Sequence, residues 1–395
     1  MDHETAVGER IAYYRRRRGL TQEVLSGRVG RSAVWLSKIE RGERTLDKIS
    51  LLLALARVLE VEPGDLIGGL ELPPNGGTPH DHPQGIPAIR RAVVGTRPPD
   101  IEPPIAAQLR RDFECAATLG ANGSLEKLGS VLPDLLLASR AAVAEGVPGA
   151  WWCLAGAYRE AGGWARATGD MELALIAADR AVTAAERSGD ELLVGAAERQ
   201  VVNALMRLGR FDEAGSVYSD AVDALAPTHT TPRAGWSIWG VLHLQQSVVA
   251  VPAGDVAEAW RVLRDARVAA EHVGAGHNDY WEAFGPAWVT AHEIWVALDS
   301  GDAVEALRIA DTFDVEELPT PERRARVLLS VAHAHALRRD DAAAVAILLE
   351  AERHAPEVVR HQALAHEIVR TLLHRERRSR TPELRGLAQR LGIAD

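Results

Sequence analysis

The sequence is poor in cysteine and in aromatic residues. Two cysteines, Cys115 and Cys153, occur among 395 residues, too few for a disulfide framework or a cysteine-based zinc site. Aromatic residues make up 5% of the chain. Alanine, leucine and arginine are frequent instead, which favours helix over sheet. We therefore expect a helical protein whose two cysteines are buried small residues in a reducing compartment.

Long apolar runs are also missing. No stretch approaches the roughly 18 apolar residues of a membrane span, and the N-terminal MDHETAVGER lacks the apolar segment of a signal peptide. We expect a cytoplasmic protein that has no membrane partner.

Catalytic and cofactor motifs are absent as well. The pairs His292-Glu293 and His366-Glu367 lack the second histidine of a zinc protease helix. The segment GAGHND at 274–279 lacks the GK[ST] of a P-loop, and no GxSxG occurs. The sequence therefore predicts a protein that is not an enzyme, with no cofactor and no metal site.

Charge is unevenly distributed along the chain. The net charge is −10, but residues 1–66 hold 12 Lys and Arg against 10 Asp and Glu, whereas the remainder holds 33 against 45. A basic N-terminal region on an acidic body is compatible with nucleic-acid binding by the N-terminal region alone.

The N-terminal region has the start and stop signals of several short helices. Apolar positions predict a first helix over 7–18, ended by Gly19. Thr21 and Ser32 are suitable caps for the second and third helices, which Gly30 and Gly42 end. Further helices, over about 46–59 and from Pro63, complete a predicted five-helix bundle with a helix-turn-helix at its centre.

The segment GERIAYYRRRRGLTQEVLSGRVGRSAVWLSKIERGER resembles the XRE (lambda-repressor-like) family of helix-turn-helix regulators. The resemblance covers about 60 residues, and it implies an all-α DNA-binding domain over 1–67 in a cytoplasmic, nucleoid-associated regulator. It further implies a structural ion pair between Arg15 and Glu40 that orients the third helix.

In this family the third helix enters the major groove, where base edges present a distinct donor and acceptor pattern. We expect Ala33 and Val34 to make apolar base contacts and Lys38 to reach guanine. Trp35 packs either on the sugar–phosphate edge or on the second helix. The full set of expected DNA-binding residues is Gln22, Arg31, Ser32, Ala33, Val34, Trp35, Ser37, Lys38, Arg41 and Arg44.

Residues 68–104 are rich in proline and glycine and predict a linker, with a short helix over 86–94. Within it, His80-Asp81-His82 is read as part of a solvated loop rather than as a metal site.

The body, 105–395, contains a degenerate repeat. A turn residue, an acid and a later alanine recur in GDMELA, GRFDEA, GDVAEA, GDAVEA and RDDAAA, whose last alanines are at 174, 214, 259, 306 and 344. Each copy lies in the predicted turn of a helix–turn–helix pair. The pattern resembles a tetratricopeptide (TPR)-like α-solenoid, which forms a superhelix with a concave binding surface.

An XRE-type domain joined to a TPR-like body resembles regulators of actinobacteria, and its architecture is similar to the RRNPP peptide-sensing regulators. The segment NDYWEAFGP at 278–286 is typical of the actinobacterial group. The resemblance implies a short peptide, or another small signalling molecule, as an effector bound by the TPR-like groove.

First helices of the repeat pairs carry unusual polar and aromatic residues that could hold such a ligand. Asn203, within the apolar VVNALM, is the most distinctive of them, whereas Trp151, Trp152, Trp236 and Trp239 are interpreted as core residues. The candidate ligand-binding residues are Trp164, Arg199, Asn203, His243, Gln246, Asn278, Trp281, Trp288 and His292.

Two functions fit these features. In the first, a homodimer binds an operator through its helix-turn-helix domains and is gated by a peptide or small molecule in the groove. In the alternative, the same DNA-binding protein uses its TPR-like domain as a protein–protein interaction hub, with no small effector.

The DNA-binding assignment predicts different outcomes for two substitutions. Lys38→Ala should weaken binding to specific DNA and relax sequence choice, by about 1–3 kcal/mol, because it removes a base contact. Arg44→Ala should weaken binding to all DNA about equally, because it removes a phosphate contact. Titrations of each variant with a specific and with a random duplex measure both effects. If the two variants lost equal affinity for the specific duplex and equal affinity for the random duplex, the assignment would be contradicted.

Overall fold

The structure, a computed structural model, describes residues 7–8, 11–12, 14–15, 20–42, 49–59, 66, 86–376, 381 and 383–393. The chain divides into two compact units, Met1–Pro74 and Asn75–Asp395. Within the described residues every regular element is helical, and no helix combines the length and apolar character that a membrane crossing requires.

The first unit contains α1 (Gln22–Arg28), α2 (Ala33–Glu40) and α3 (Ile49–Leu59). Each of the first two helices begins at the predicted cap, since Thr21 Oγ1 accepts from the Val24 amide and Ser32 Oγ from the Trp35 amide, both at 3.2 Å. Between them the backbone turns at Gly30, which has φ +65°. These caps satisfy amides that would otherwise lack partners, so the helix-turn-helix forms where the sequence predicts it.

One apolar cluster holds the first unit together. Ile11, Leu25, Leu36, Leu55 and Leu66 are all fully buried in it. The described residues of the predicted first helix, 7–8, 11–12 and 14–15, are helical, as is residue 66 of the predicted fifth. The remaining residues of those two helices, together with Gly19, lie outside the described residues.

The second unit is a succession of helices joined by short turns. They are α4 (Ile86–Val94), α5 (Ala106–Ala121), α6 (Leu125–Ala144), α7 (Ala150–Thr168), α8 (Met171–Ser188), α9 (Glu191–Arg207), α10 (Phe211–Ala224), α11 (Arg233–Ala253), α12 (Val256–Val273), α13 (Pro286–Asp299), α14 (Ala303–Ala310), α15 (Pro321–Leu337), α16 (Asp341–His354), α17 (Pro356–His361), α18 (Ala363–His374) and α19 (Leu384–Arg390). Two 3₁₀ turns, Asp279–Trp281 and Val315–Glu317, interrupt the succession.

All five predicted repeat turns join the two helices of a pair. A residue with positive φ ends the first helix in each turn, and four of these five residues are glycines, such as Gly254 and Gly301, both at φ +94°. The next residue is the N-cap of the second helix. For example, the carboxylates of Asp255 and Asp302 each accept a hydrogen bond from a backbone amide at 2.9 Å. The GD dipeptide therefore combines a left-handed helix end with an N-cap.

The repeated alanines lie where paired helices meet. All five are buried, with exposures between 0 and 3%: Ala174, Ala214, Ala259, Ala306 and Ala344. Small side chains allow close packing within each pair. The first helices of successive pairs, α7, α9, α11, α13 and α15, also pack side by side. They form the inner wall of the solenoid.

Helix α4 lies in the segment that the sequence assigns to a linker. It packs against α6 and α8, with Ile89 and Val93 fully buried in the core of the second unit. Since burial of these side chains holds the helix in place, residues 86–94 are part of the body and not a flexible connection. His80-Asp81-His82 lies outside the described residues.

Only one of the two cysteines is placed as expected. Cys153 is buried, but Cys115 is exposed. It is on the outward side of α5, whose opposite side buries Phe113 and Ala116.

The solenoid closes on itself, which differs from the open superhelix expected from the repeats. The N–H of Glu126, at the start of α6, donates to Glu357 Oε2 of α17 at 2.8 Å. Gly123 approaches the same region, because a Cβ atom there would lie 2.6 Å from Val358 Cγ2. Helix α5 also contacts α15, and helix α7 contacts α17. The inner wall therefore surrounds an interior rather than one side of a groove.

The segment 274–285, here called the crossing segment, joins α12 to α13 and reaches back to the first pairs. Arg159 of α7 donates to Tyr280 O at 3.0 Å and to Glu282 Oε1 at 2.6 Å. Tyr280 Oη donates to the Asp190 carboxylate at 3.0 Å. These contacts join residues that are 90 to 123 positions apart in the sequence.

The backbone of the crossing segment is strained. Tyr280, Trp281 and Ala283 have φ of +53°, +59° and +44°, in the left-handed region that side chains disfavour. The ring of Phe284 fills the space over Gly240, where a Cβ would lie 2.2 Å from Cζ. Packing and ion pairs therefore hold this segment in a conformation that its local sequence does not prefer.

Glu282 is the main ionic contact of the crossing segment. Its side chain is 2% exposed and also lies 3.0 Å from Arg199 Nε of α9. Arg323 of α15 donates to the backbone carbonyls of Glu282 and Ala283. Burial raises the pKa of Glu282, but Arg199, Arg159 and Arg323 outweigh it and hold the pKa below its usual value. The carboxylate is therefore ionised and held between several helices.

Closure of the solenoid predicts different effects on stability for substitutions at two glycines that have the same φ. Gly123 and Gly146 both have φ +69°, but only Gly123 has atoms within 4 Å of the added Cβ. In both Ala variants the free energy of unfolding should fall by about 1–2 kcal/mol, because alanine is strained in the left-handed conformation. In Gly123→Ala it should fall by about 1–3 kcal/mol more, because the added Cβ overpacks against Val358. Urea denaturation measures the difference, and equal losses would mean that the two ends do not pack together.

The Glu282 ion pairs predict a large stability loss on neutralisation. Glu282→Gln should lower the free energy of unfolding by about 3–5 kcal/mol, because it leaves buried guanidinium groups without their counter-charge. Glu271→Gln, on the exposed side of α12, is the matched control and should change it by less than about 0.5 kcal/mol. A loss for Glu282→Gln no larger than that of the control would contradict this role.

Candidate functional site

The outward surface of α2 carries the expected base-reading residues of the first unit. Val34 is 67% exposed, and Ser32 and Lys38 are exposed beside it, while Ala33 and Ser37 are half-buried. Leu36 and Ile39 point inward and anchor the helix in the core. The cap at Ser32 and this apolar inner side together fix which side chains α2 presents.

Arg15 and Glu40 form the ion pair that the resemblance implies. Arg15 Nε and Nη2 donate to the two Glu40 carboxylate oxygens at 2.6 and 2.8 Å, and Nη1 donates to Leu20 O at 2.9 Å. The hydrogen bond to Glu40 raises the pKa of the Arg15 guanidinium, against a smaller opposing effect of burial. This bidentate contact fixes the C-terminal end of α2.

Gln22 joins the same ion pair. Its Nε2 donates to Glu40 Oε2 at 2.7 Å, so the side-chain amide of this expected DNA-binding residue also has a partner within the protein. Because Gln22 begins α1 and Glu40 ends α2, this hydrogen bond connects the two helices of the motif.

Trp35, for which the sequence left two positions open, packs inward. It is half-buried against the core cluster, and the Arg31 guanidinium lies 5.9 Å from its ring centroid. Arg31 and Arg41 are exposed near the two ends of α2. Arg44 lies outside the described residues, as do Arg16, Arg17 and Arg18.

Three of the predicted ligand residues of the body, Trp164, Trp288 and His292, are buried core residues, and Trp281 is half-buried against the core. Trp164 is 1% exposed, and its Nε1 donates to Leu125 O at 2.9 Å. Trp281 packs edge-on against Phe113, with ring centroids 4.8 Å apart. Large indoles fill the spaces that the many alanines and glycines leave between helices. For these residues packing, and not ligand binding, explains the pattern.

Trp288 and His292 form a second buried pair. They lie one turn apart on α13, and Arg323 stacks over the Trp288 ring at 3.9 Å. His292 Nδ1 is 3.0 Å from Trp288 O, and burial lowers its pKa to about 3, so the imidazole is neutral. Both side chains are buried within the body, which corrects the expectation that they line an open groove.

Asn278 has a local structural role in the crossing segment. Although it is exposed, its Oδ1 accepts from the Ala283 amide at 2.8 Å and stabilises the strained backbone. Arg199 is likewise engaged, through its ion pair with Glu282.

Of the other predicted residues, Asn203 lies on α9, and His243 and Gln246 lie on α11, which packs against α9. Asn203 Nδ2 donates to Gln245 Oε1 of α11 at 3.0 Å. His243 contacts α10 instead: Tyr218 Oη lies 2.7 Å from His243 Nδ1, and burial lowers the pKa of His243 to about 4.

The contact of Asn203 with Gln245, here called the polar seam, contains two buried atoms that lack a partner among the described residues, the acceptor Asn203 Oδ1 and the donor Gln245 Nε2. Elsewhere on α11, the atoms Trp239 Nε1, His243 Nε2 and Gln246 Oε1 are also buried without such a partner, as is Gln200 Oε1, which faces Gly162 of α7. An unsatisfied buried polar group costs about 1–3 kcal/mol, so two of them in one contact are unusual for a region that only packs.

Gln245 is not among the residues that the sequence predicts. Helical spacing does not single it out, because the intervals of four and three on α11 join Trp239, His243 and Gln246. Within the described residues, no group of three or more His, Cys, Asp or Glu side chains has an arrangement that could hold a metal ion.

Known proteins match the chain most clearly over the first unit. A family described as "Helix-turn-helix domain" matches residues 6–67. An uncharacterized HTH-type transcriptional regulator, y4dJ, of Sinorhizobium fredii (strain NBRC 101917 / NGR234) is 40% identical over 70 residues, which are 16% of this chain and 91% of that protein.

A solved structure is similar over a longer range but at a low level. It is the crystal structure of Bacillus thuringiensis PlcR in complex with the peptide PapR7 and DNA, at 12% identity and a TM-score of 0.36. The match covers 85% of this chain and 98% of that one.

The helix-turn-helix match extends over the same α1 and α2 whose caps and ion pair are described above, and the relative is covered over nearly its whole length. The chain therefore belongs to the HTH-type transcriptional regulators, which bind DNA through an XRE-like helix-turn-helix domain.

Proposed function

We propose that the protein binds its operator as a homodimer, with α2 of each copy in the major groove, and that a short peptide or small signalling molecule in the second unit changes its affinity for DNA. The polar seam between α9 and α11 is the observation that carries the ligand part of this proposal.

Base contacts would come from the exposed face of α2. Val34 and Ala33 offer apolar contact to a thymine methyl group, and Lys38 can reach guanine O6 and N7. Arg31 and Arg41 flank this face and suit phosphate oxygens, which add affinity without sequence information. Ser32 and Ser37 complete the surface.

A dimer follows from the size of this surface. One helix-turn-helix domain covers only a few base pairs, so proteins of this shape reach specific affinity by occupying two half-sites about one helical turn apart.

The polar seam suits an amide-rich ligand. Each peptide group has one N–H and one C=O, and the seam presents an unpartnered donor, Gln245 Nε2, beside an unpartnered acceptor, Asn203 Oδ1. These atoms are buried, so a ligand must bind a more open arrangement of the helices. That requirement links binding to conformation, because a ligand can shift an equilibrium only by binding one state better.

A footprint on the DNA upstream of the protein's own gene tests the proposal. Full-length protein should protect two half-sites, and a peptide fraction of cell extract should change the half-saturating concentration by about fivefold or more. Asn203→Ala should protect the same half-sites and lose the response. Asn122→Ala, exposed at the end of α5, is the control and should respond like the original protein.

Each result bears on a different part of the proposal. A single protected half-site at saturation would rule out the dimer. Two half-sites that are indifferent to the extract would remove the gating and favour a body that serves as a protein-interaction hub. An unchanged response of Asn203→Ala would place the ligand away from the polar seam.

A further inference from the structure

The two carboxylates of the crossing segment are held by arginines from three inner helices. Arg159 of α7 and Arg199 of α9 lie 2.6 and 3.0 Å from the Glu282 carboxylate. Arg233 of α11 donates to both carboxylate oxygens of Asp279, at 3.1 and 3.0 Å. Hydrogen bonds between a guanidinium and a carboxylate are among the strong ones in proteins. The inner wall is therefore suited to a peptide chain that carries two acidic side chains.

The backbone of the same stretch is bound by arginines as well. Arg159 also donates to Tyr280 O at 3.0 Å, and Arg323 of α15 donates to the carbonyl oxygens of Glu282 and Ala283. Every peptide has such carbonyl groups, so these contacts do not depend on the identity of a side chain. Side chains from four inner helices thus hold the crossing segment in the way that a wall of helices holds a bound peptide.

The two aromatic side chains of the crossing segment occupy places on the first helices of the body. The Trp281 indole lies between Phe113 of α5 and Trp152 of α7, with ring centroids 4.8 and 5.7 Å away. Tyr280 Oη donates to the carboxylate of Asp190, the N-cap of α9, at 3.0 Å. Both Tyr280 and Trp281 are half-buried, so these places are open to solvent on one side. Aromatic side chains of another molecule fit there only when these two have left.

The crossing segment holds its position at a conformational cost. Tyr280, Trp281 and Ala283 have positive φ, whereas a separate peptide is not tied to α12 and α13 and can approach the same contacts unstrained. The ends of the segment touch each other, because a Cβ at Gly285 would lie 2.9 Å from Gly274 O. The stretch between these ends can therefore leave the wall without separating α12 from α13.

The crossing segment also lies beside the polar seam. Arg199, which pairs with this segment, precedes Asn203 by one helical turn on the same side of α9. The ring of Phe284 packs over Gly240 of α11, five residues before Gln245. A peptide in the place of the crossing segment can therefore extend to the seam, whose buried atoms require a more open arrangement of the helices.

We propose that the crossing segment is a built-in occupant of the effector site, and that the effector is an acidic, aromatic peptide that displaces it. The carboxylates of the effector take the places of Asp279 and Glu282, and its aromatic side chains take those of Tyr280 and Trp281. The arginines then keep a counter-charge in both states, which avoids the cost of an unpaired buried charge. The inference rests on the proposed function and specifies the chemistry of the peptide.

A synthetic peptide with the sequence of residues 278–283, NDYWEA, tests this inference. It carries blocked termini and a fluorescent label, and fluorescence anisotropy with the full-length protein measures its dissociation constant. Trp281→Ala should bind the peptide about tenfold more tightly than the original protein, because its own crossing segment has lost an anchor and competes less. Trp260→Ala, which removes a half-buried indole from α12, is the matched control and should bind like the original protein.

A second variant and a second peptide separate this site from a general loss of stability. Tyr280→Phe removes only the hydroxyl group that donates to Asp190, and it should tighten peptide binding about fivefold. This conservative variant decides the matter if Trp281→Ala does not fold. A peptide with Glu282→Gln should bind the original protein and both variants about tenfold more weakly, because it lacks the carboxylate that the arginines hold.

Tighter binding by both variants, with a preference for the glutamate peptide, supports the inference. Absence of binding to the original protein and to both variants overturns it, as does equal affinity of all three for NDYWEA. Equal affinity for the two peptides also overturns it, since the arginines would then not recognise the carboxylate.

An operator titration distinguishes this inference from the gating proposal. If NDYWEA binds Trp281→Ala tightly while operator affinity stays constant, the peptide site stands and the gating fails. If the peptide fraction of the cell extract changes operator affinity while NDYWEA binds neither the original protein nor the variants, the gating stands and the crossing segment does not occupy the effector site.

Discussion

The second unit depends on one buried carboxylate. Glu282 belongs to a loop that local sequence preferences would not fold in this way, and it meets Arg159 at 2.6 Å and Arg199 at 3.0 Å. A buried ion pair is costly unless its geometry is good and its remaining polar atoms are satisfied. Arg159 and Arg199 come from the neighbouring inner helices α7 and α9, so the carboxylate holds the crossing segment against both helices. Tyr280, Trp281 and Phe284 are then held in place by packing and by the Asp190 contact.

Closure of the solenoid determines what the interior can do. An open array of helical pairs would present its first helices on one side of a groove. The contact of Glu126 with Glu357 brings the first and last pairs together, and side chains from distant repeats then face one another. The polar seam lies on two of these inner helices, α9 and α11. Polar groups that would be solvated on an open surface are therefore buried there, where their interactions are stronger.

Much of the architecture could be predicted because its signals are local. The caps at Thr21 and Ser32 and the turns that combine a glycine with an aspartate each depend on residues that are close in sequence. The candidate ligand site was harder to predict. Asn203 lies in the polar seam, but Trp164 and Trp288 are core residues, because an indole on an inner helix looks the same in sequence whether it faces a ligand or fills a gap.

The sequence by itself determined the all-α class, the helix-turn-helix with its Arg15–Glu40 pair and the repeated helical pairs. The class, the helix-turn-helix and the repeated pairs follow from helical periodicity, capping and small residues at fixed spacing, whereas the Arg15–Glu40 pair is what the resemblance to the XRE family implies. Only the tertiary structure decided that helix α4 joins the body, that the solenoid closes, and that Glu282 pairs with Arg159 and Arg199. Those features depend on contacts between residues far apart in the chain, and the curvature of a helical array accumulates from many small packing angles that no local motif records.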